Sequence, residues 1–366
     1  LEEVVSVNNH HFLFSNFTMG AMKLNNRAVM APMTRCRCIN NLPDESVVKY
    51  YSQRAEAGLI ITEGMSPSDN GLGYPRMPGL YTNEHVQAWK KVTESVHAAG
   101  SKIFVQLMHS GRVSHPANMP SGVEILAPSP IAHEGKMWTD AEGMQPCPQP
   151  KEMTESDIEN TIQEFVHSAD LAMLAGFDGV EIHGANGLVE QFINIASNKR
   201  TDQWGGSIEN RLRFVNEVVK RVAKKIGPEK VGLRVSPYGV FNGIEVCGHT
   251  DDVYEKLAMD LQNIGILYMH VVDHSSIGAP EVKPRIKQLI RTHFKGVLIL
   301  SGGYNLRKAD ADLAEKKCDL IAFGRPFISN PKLVSKLKNH HTLLEADHQT
   351  FYTLGEKGYT DYPVEG

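Results

Sequence analysis

Eight short runs of β-branched and other apolar residues recur along the chain, each followed by a stretch of helical spacing or a turn-rich connection, and this alternation restricts the fold more than any other feature. The runs are 27–31, 58–62, 102–107, 179–182, 231–235, 267–272, 297–300 and 320–323. Between them lie ESVVKYYSQRAEAG (45–58), NEHVQAWKKVTESVHAAG (83–100), SDIENTIQEFVHSADLAMLAG (156–176) and SIENRLRFVNEVVKRVAKKIG (207–227), several of them opening at Asn, Ser or Asp and stopping at Gly, as capped helices do. Near-continuous apolar strands alternating with helices predict an α/β fold with a parallel sheet covered on its outer face, and eight units predict closure into a (β/α)8 barrel. A doubly wound open sheet is the alternative; no G-x-G-x-x-G opens a helix after any of these runs, which counts against it.

A barrel of this kind needs about 250 residues, so a chain of 366 carries a surplus. Residues 12–26 read as a small hairpin plugging the barrel floor. The stretch 110–151, rich in Pro, Gly and Met, follows the third run and reads as a long lid over the upper mouth. The tail 340–366 carries Phe351, Tyr352, Tyr359 and Tyr362 and is expected to dock against the barrel. With no linker in sight, one domain over 1–366 is expected.

Composition narrows the partners. A net charge of −4, without a long block of one sign, points away from nucleic acid and from acidic membrane surfaces. No apolar run approaches the roughly 18 residues of a membrane span, and LEEVVSVNNHH lacks the apolar core of a signal peptide. Five cysteines, an odd number without CxxC spacing, fit a reducing compartment, so a cytoplasmic location is expected, although an opening Leu1 leaves room for a segment before it. The composition does not determine the oligomeric state.

In barrels of this type the chemistry sits where strands end at the upper face. The ends here are MAPMTR (30–35), ITEG (61–64), VQLMHSGR (105–112), EIHGAN (181–186), LRVSP (233–237), LSGGY (300–304) and AFGRP (322–326). Gly302 and Gly303 after the seventh strand, with Gly324 and Arg325 after the eighth, have the place and composition of a phosphate site: glycines admit backbone N–H groups to the oxygens, and a guanidinium adds paired bonds. The competing account is that the glycines make tight turns and Arg325 pairs with a carboxylate. His183 and Asn186 are two neutral donors three residues apart at the end of the fourth strand, a pair able to grip a carbonyl or phenolate oxygen. Thr34, Gln106 and Arg234 complete a mostly neutral polar lining suited to a flat heteroaromatic ring with several carbonyls. Arg234, within apolar neighbours, must be paired or face a ligand.

Other chemistries find little support. His183 has no second ligand at metal spacing, and His109, His115, His133, His340 and His341 fall without a pattern, so no metal is expected. No G-x-S-x-G elbow is present, and no lysine stands at a strand end to form a Schiff base. Trp89, Tyr50 and Tyr51 are expected in the core.

Taken together, MAPMTR, VQLMHSGR, EIHGANG, QFINIASNKRTDQWGGSIENR (191–211), LRVSP, AFGRPFISNP and the final GYTDYP resemble the Old Yellow Enzyme family of FMN-dependent ene-reductases, in order and over nearly the whole chain. The resemblance implies a (β/α)8 barrel with a floor hairpin. It implies that Pro32, Met33, Thr34, Gly64, Gln106 and Arg234 contact the flavin ring, the Thr34 hydroxyl tuning it, and that Gly302, Gly303, Gly324 and Arg325 hold its phosphate. His183 and Asn186 match the pair that grips the substrate oxygen, and Tyr352 an aromatic at the substrate mouth. The implied cycle is ping-pong: NADPH or NADH reduces FMN and leaves, and hydride then passes to the β-carbon of an alkene conjugated to a carbonyl or nitro group. Two positions depart from the family pattern. Leu188 stands where a tyrosine usually protonates the α-carbon, so alkene reduction is expected to be impaired while quinones and nitro groups are not; Tyr74 and Tyr352 are the candidate substitutes. Met108 stands where many relatives carry Trp, which implies a roomier pocket. The alternatives are a specialised FMN-dependent pathway enzyme or isomerase, and a flavin-based sensor or binding protein with weak turnover.

Overall fold

The computed structural model describes residues 11–365; residues 1–10, which make up nearly all of LEEVVSVNNHH, and Gly366 lie outside the described residues. Eight strands close into a barrel: β1 (Ala28–Met30), β2 (Leu59–Met65), β3 (Lys102–Leu107), β4 (Gly179–Gly184), β5 (Val231–Val235), β6 (Tyr268–Val272), β7 (Val297–Ser301) and β8 (Leu320–Phe323). Each is parallel to the next, and β8 pairs with β1 to complete the ring. The helices that follow them in turn are α1 (Glu45–Gln53), α2 (Asn83–Ala98), α3 (Glu155–Leu174), α4 (Ile208–Ile226), α5 (Thr250–Ile264), α6 (Pro284–His293), α7 (Leu306–Ala314) and α8 (Leu333–Lys338). The (β/α)8 architecture is therefore the one that the alternation predicts.

Local chemistry explains the helix starts. Asp44, Thr82, Thr154 and Ser207 each accept a backbone N–H of the first turn of α1, α2, α3 and α4, satisfying donors that a helix end leaves open. Only α1 departs clearly from its sequence reading, stopping at Gln53 instead of running on to Gly58. The next residue, Arg54, is wholly buried and donates to the carbonyls of Tyr50, Phe327, Ile328 and Tyr359, contacts that turn the chain inward.

Inside the barrel the two-residue period of strands separates an apolar lower half from a polar upper half. Val29, Leu59, Phe104, Tyr268, Ile299 and Leu320 form one buried cluster, joined by Met19 and Leu24 from an antiparallel hairpin of Phe17–Met19 and Met22–Leu24. Two residues further along their strands stand Gln106 and His270, level with Glu181 and Arg234 on the neighbouring strands. The floor is thus filled with hydrocarbon, while the upper face presents polar groups to the mouth. Outward-facing apolar residues pack against the helices in the main core, which holds Trp89, Tyr50 and Tyr51.

Two long segments converge on that mouth. Within 110–151, Lys136–Thr139 and Gly143–Pro146 form an antiparallel hairpin, and Arg112 donates to the carbonyls of Asn242 and Gly243 after β5. The tail is held by three arginines: Arg35 donates to the carbonyls of Phe351 and Gly358, Arg37 to those of Thr350, Phe351, Gly355 and Lys357, and Arg54 to that of Tyr359. Tyr359 stacks on Tyr50 at 4.1 Å between ring centres.

Candidate active site

Four side chains at the strand ends hold buried polar atoms that no described residue satisfies: His183 Nδ1, Asn186 Oδ1, Arg234 Nε and His274 Nδ1. Buried polar groups are nearly always bonded, so orphans gathered at one barrel mouth mark a place built for a ligand. Arg234 is 8% exposed, yet its side chain makes no hydrogen bond or ion pair among the described residues. Of the two alternatives posed by a cation in an apolar strand, it is the unpaired one.

A network below fixes this lining. Glu181 on β4 is fully buried and accepts from Gln106 Nε2 at 2.8 Å and from the Tyr268 hydroxyl at 2.9 Å, while His270 Nδ1 lies 2.9 Å away. Although burial alone raises a carboxyl, His270, Arg234 and Gln106 hold Glu181 below the usual glutamate range, so it stays charged. The carboxylate orients Gln106 and balances Arg234 from beneath. Burial, with the positive Arg234 adding to it, pushes His183 well below the usual imidazole range. His183 is therefore a neutral ring at physiological pH, able to donate one N–H without carrying charge.

Asn186 follows on the loop above β4 in the left-handed region, φ 62°, which asparagine adopts more readily than most residues. Its N–H donates to Glu190, and its carbonyl accepts from Asn242 Nδ2 at 2.9 Å. The side-chain amide makes no bond to a described residue and is left for a ligand. Tyr74 stands alongside, its hydroxyl accepting from the same Asn242 amide at 3.5 Å. Leu188, in the first turn of the short helix Leu188–Ile193, is wholly buried in the main apolar core, and its N–H donates to the His109 carbonyl at 2.8 Å. Burial lifts the Tyr74 phenol to about 12, so it carries its proton at physiological pH.

The remaining sequence candidates lie on strands β2 and β3, on the segments after β1, β3, β7 and β8, and in the tail. Pro32 is buried, and Met33 and Thr34 are half-buried on the loop after β1. Gly64 on β2 faces Met108: a β-carbon at residue 64 would come within 2.8 Å of the thioether sulfur. Gly302 has φ 117°, and a β-carbon there would lie 2.0 Å from the Asp273 carbonyl oxygen, so only glycine fits. Gly303 and Arg325 are exposed, and Arg325 has no carboxylate partner among the described residues. Gly324 lies beside Met33, whose sulfur would meet an added β-carbon at 3.6 Å. Tyr352 is 59% exposed, its carbonyl accepting from Arg76 at 2.8 Å.

The model of the NADH:flavin oxidoreductase / NADH oxidase family matches residues 12–343. The chain belongs to this family, that of the Old Yellow Enzymes. It is 36% identical to 12-oxophytodienoate reductase 7 of Oryza sativa subsp. japonica, over 97% of this chain and 95% of that protein. It is 38% identical to a probable flavin mononucleotide-dependent alkene reductase of Leishmania infantum, over 94% and 95%. Among solved structures, a morphinone reductase in complex with tetrahydroNAD superposes with a TM-score of 0.91 at 39% identity, covering 97% of this chain and 98% of that one. As an Old Yellow Enzyme the chain is an NAD(P)H-dependent flavin oxidoreductase, and FMN is its cofactor. The orphaned guanidinium of Arg234, and Gly302, where no β-carbon fits, suit such a group: a planar ring with several acceptors and a phosphate.

The sequence reading passed over Glu181, Glu190, Asn242 and His274. Glu181 carried the same signal as Arg234, a charge inside an apolar strand. Asn242 and His274 lie on loops distant in sequence from Asn186, and Glu190 acts through hydrogen bonds to Asn186, Ser236 and Tyr254, none of which a local pattern announces. Among the described residues no group of three or more His, Cys, Asp or Glu could hold a metal ion, all five cysteines are free, and no helix is long and apolar enough to cross a membrane.

Proposed function

We propose that this Old Yellow Enzyme reduces activated acceptors by a ping-pong cycle, with α,β-unsaturated carbonyls, quinones and nitro compounds as substrates, and that proton delivery limits its action on alkenes. The observation that carries the reading is the pair at the end of β4: a neutral His183 ring with an unbonded nitrogen, and an Asn186 side-chain amide, donor nitrogen included, that no described residue binds. FMN, when bound, supplies a two-electron store that takes hydride from the nicotinamide and yields it to the acceptor.

The chain's own residues provide the setting. His183 and Asn186 donate to the acceptor oxygen, where negative charge develops, from positions fixed before the substrate arrives; such preorganised donors are typically worth about 3–4 kcal/mol each. Arg234 places a positive charge against the flavin ring, with Pro32, Met33, Thr34, Gly64 and Gln106 around it, while Gly302, Gly303, Gly324 and Arg325 hold the phosphate. Met108, a flexible thioether, shapes the pocket beside Gly64, and Tyr352 lines its rim. The lack of a separate dinucleotide-binding fingerprint supports one site serving the nicotinamide and the acceptor in turn, and the morphinone reductase with tetrahydroNAD supports a nicotinamide as reductant. Leu188 has no proton to give. Reduction of an alkene carbon needs one, whereas quinone and nitro oxygens take theirs from water.

The test is anaerobic. Bound flavin is reduced with NADPH, and its reoxidation by 2-cyclohexenone is followed beside that by a quinone. Loss of a positioned acid slows the step it serves by about 10²- to 10⁴-fold, so the quinone is expected to react far faster. Equal fast rates would overturn the proton limitation, and failure of every acceptor to reoxidise the flavin would overturn the reductase reading.

A further inference from the structure

Behind the oxygen-facing side of Asn186 the chain has buried a carboxyl. Glu190 is 2% exposed. Its Oε2 accepts the Asn186 N–H, and its Oε1 accepts the hydroxyls of Ser236 at 2.7 Å and Tyr254 at 3.4 Å. The donors come from three elements: the loop after β4, the end of β5, and α5. Among the described residues no cation pairs with Glu190. Arg211 of α4 lines the same small cavity of about 20 Å³, together with Tyr238 and Cys247, but its guanidinium donates to the carbonyls of Ile193 and Gly206.

Such an arrangement is costly for packing alone. Val189 and Phe192, the neighbours of Glu190 on the same short helix, are apolar and equally buried, and a leucine at 190 would need no hydrogen bonds. What the carboxyl does hold is a strained residue. Asn186 has φ 62°, and its N–H is fixed by Glu190 while its carbonyl is fixed from the opposite side by Asn242, which leaves its side-chain amide unbonded. The two backbone contacts set the direction of the amide without using its polar atoms.

We propose that Glu190 is a positioning residue that aims the Asn186 amide at the substrate oxygen, and that its ionisation couples this grip to pH. The inference rests on the proposed role of His183 and Asn186. A charged carboxylate is the stronger acceptor for the Asn186 N–H. Burial, offset in part by its three donors, lifts Glu190 to about 7. Its other close titratable neighbour, Tyr254, is held far above its usual range by burial and stays neutral. The grip therefore tightens as pH rises through neutrality.

The probe is 2-cyclohexenone, which does not titrate, bound to the oxidised holoenzyme without NADPH and followed by the change in flavin absorbance. In the unaltered enzyme the Kd is expected to fall by about 5- to 10-fold between pH 5.5 and 8.5, the worth of one strengthened hydrogen bond. In Glu190→Gln the Kd loses its pH dependence and at pH 8 is weaker by a similar factor. Tyr254→Phe removes a donor to the carboxylate, so the midpoint moves to higher pH, a shift that a merely structural role would not produce. A Kd independent of pH in the unaltered enzyme, or a midpoint unmoved in Glu190→Gln and Tyr254→Phe, overturns the proposal. If Asn186→Ala also binds the enone as tightly as the unaltered enzyme, the reading of the His183 and Asn186 pair itself fails.

Discussion

Leu188 and Arg234 are the single residues on which the proposed chemistry turns most directly. Leu188 begins the short helix just after Asn186 and is wholly buried, so restoring a phenol there tests the proton limitation directly. Leu188→Tyr is expected to raise the rate of enone reoxidation by about 10²-fold or more and to leave the quinone rate nearly unchanged; stopped-flow absorbance of the flavin reads both. Arg234 makes the opposite case, a charge that the protein leaves unpaired. Replacing it by methionine keeps the bulk and removes the charge-assisted bonds, each worth about 1.5–3 kcal/mol, so FMN affinity is expected to fall by about 10- to 100-fold, measured by fluorescence titration of the apoprotein. Both residues were visible in the sequence, Arg234 as a cation among apolar strand residues and Leu188 as a departure from a family pattern. Glu190 and Asn242 were not: Asn242 reaches Asn186 from 56 positions away, and the burial of the Glu190 carboxyl depends on Ser236 and Tyr254, 46 and 64 positions away.

At the scale of elements, the tail and the loop after β1 form one unit. Arg54 donates to four carbonyls, those of Tyr50, Phe327, Ile328 and Tyr359, and thereby ties the end of α1 to the β8 connection and to the tail. Arg54→Leu would leave those acceptors unpaired in the interior. At about 1 kcal/mol each the loss approaches 4 kcal/mol, and it is expected as a lower midpoint in urea with faster proteolysis of the segment 340–365. The same arginine explains why α1 was not fully legible. Helical periodicity runs through residue 58, but partners some 300 positions away stop the helix at Gln53. Strands fared better: β1 to β8 were recognisable because each is buried on both faces and therefore reads as an unbroken apolar run. The hairpin at 136–146 left no such trace, since its burial alternates over only four residues per strand.

For the whole molecule, the buried titratable groups pull the pH dependence of stability in opposite directions. His109 is lowered to about 3, His85 and His274 to about 4, and His183 well below its usual range, all mainly by burial. Each is neutral when folded but binds a proton when unfolded below about pH 6.5, so each costs stability as pH falls through that point. Glu63 and Glu190 are raised to about 7 by burial, and the sign reverses. Folded, they keep a proton that the unfolded chain has lost above about pH 4.5, so their cost appears as pH rises towards 7. His133 and His270 are lowered as well and Glu164 is raised, so between pH 5 and 6 six histidines oppose three glutamates. The unfolded state then binds more protons, and stability is expected to rise with pH before levelling near neutrality. Glu63→Gln separates the contributions. It removes one opposing proton, so the acid limb should steepen by about 1.4 kcal/mol per pH unit, and stability at pH 8 should increase because a buried carboxylate no longer has to ionise there. Urea denaturation at pH 5, 6, 7 and 8 measures both effects; a variant with a shallower acid limb than the unaltered chain would show that Glu63 ionises readily in the folded state beside Arg35.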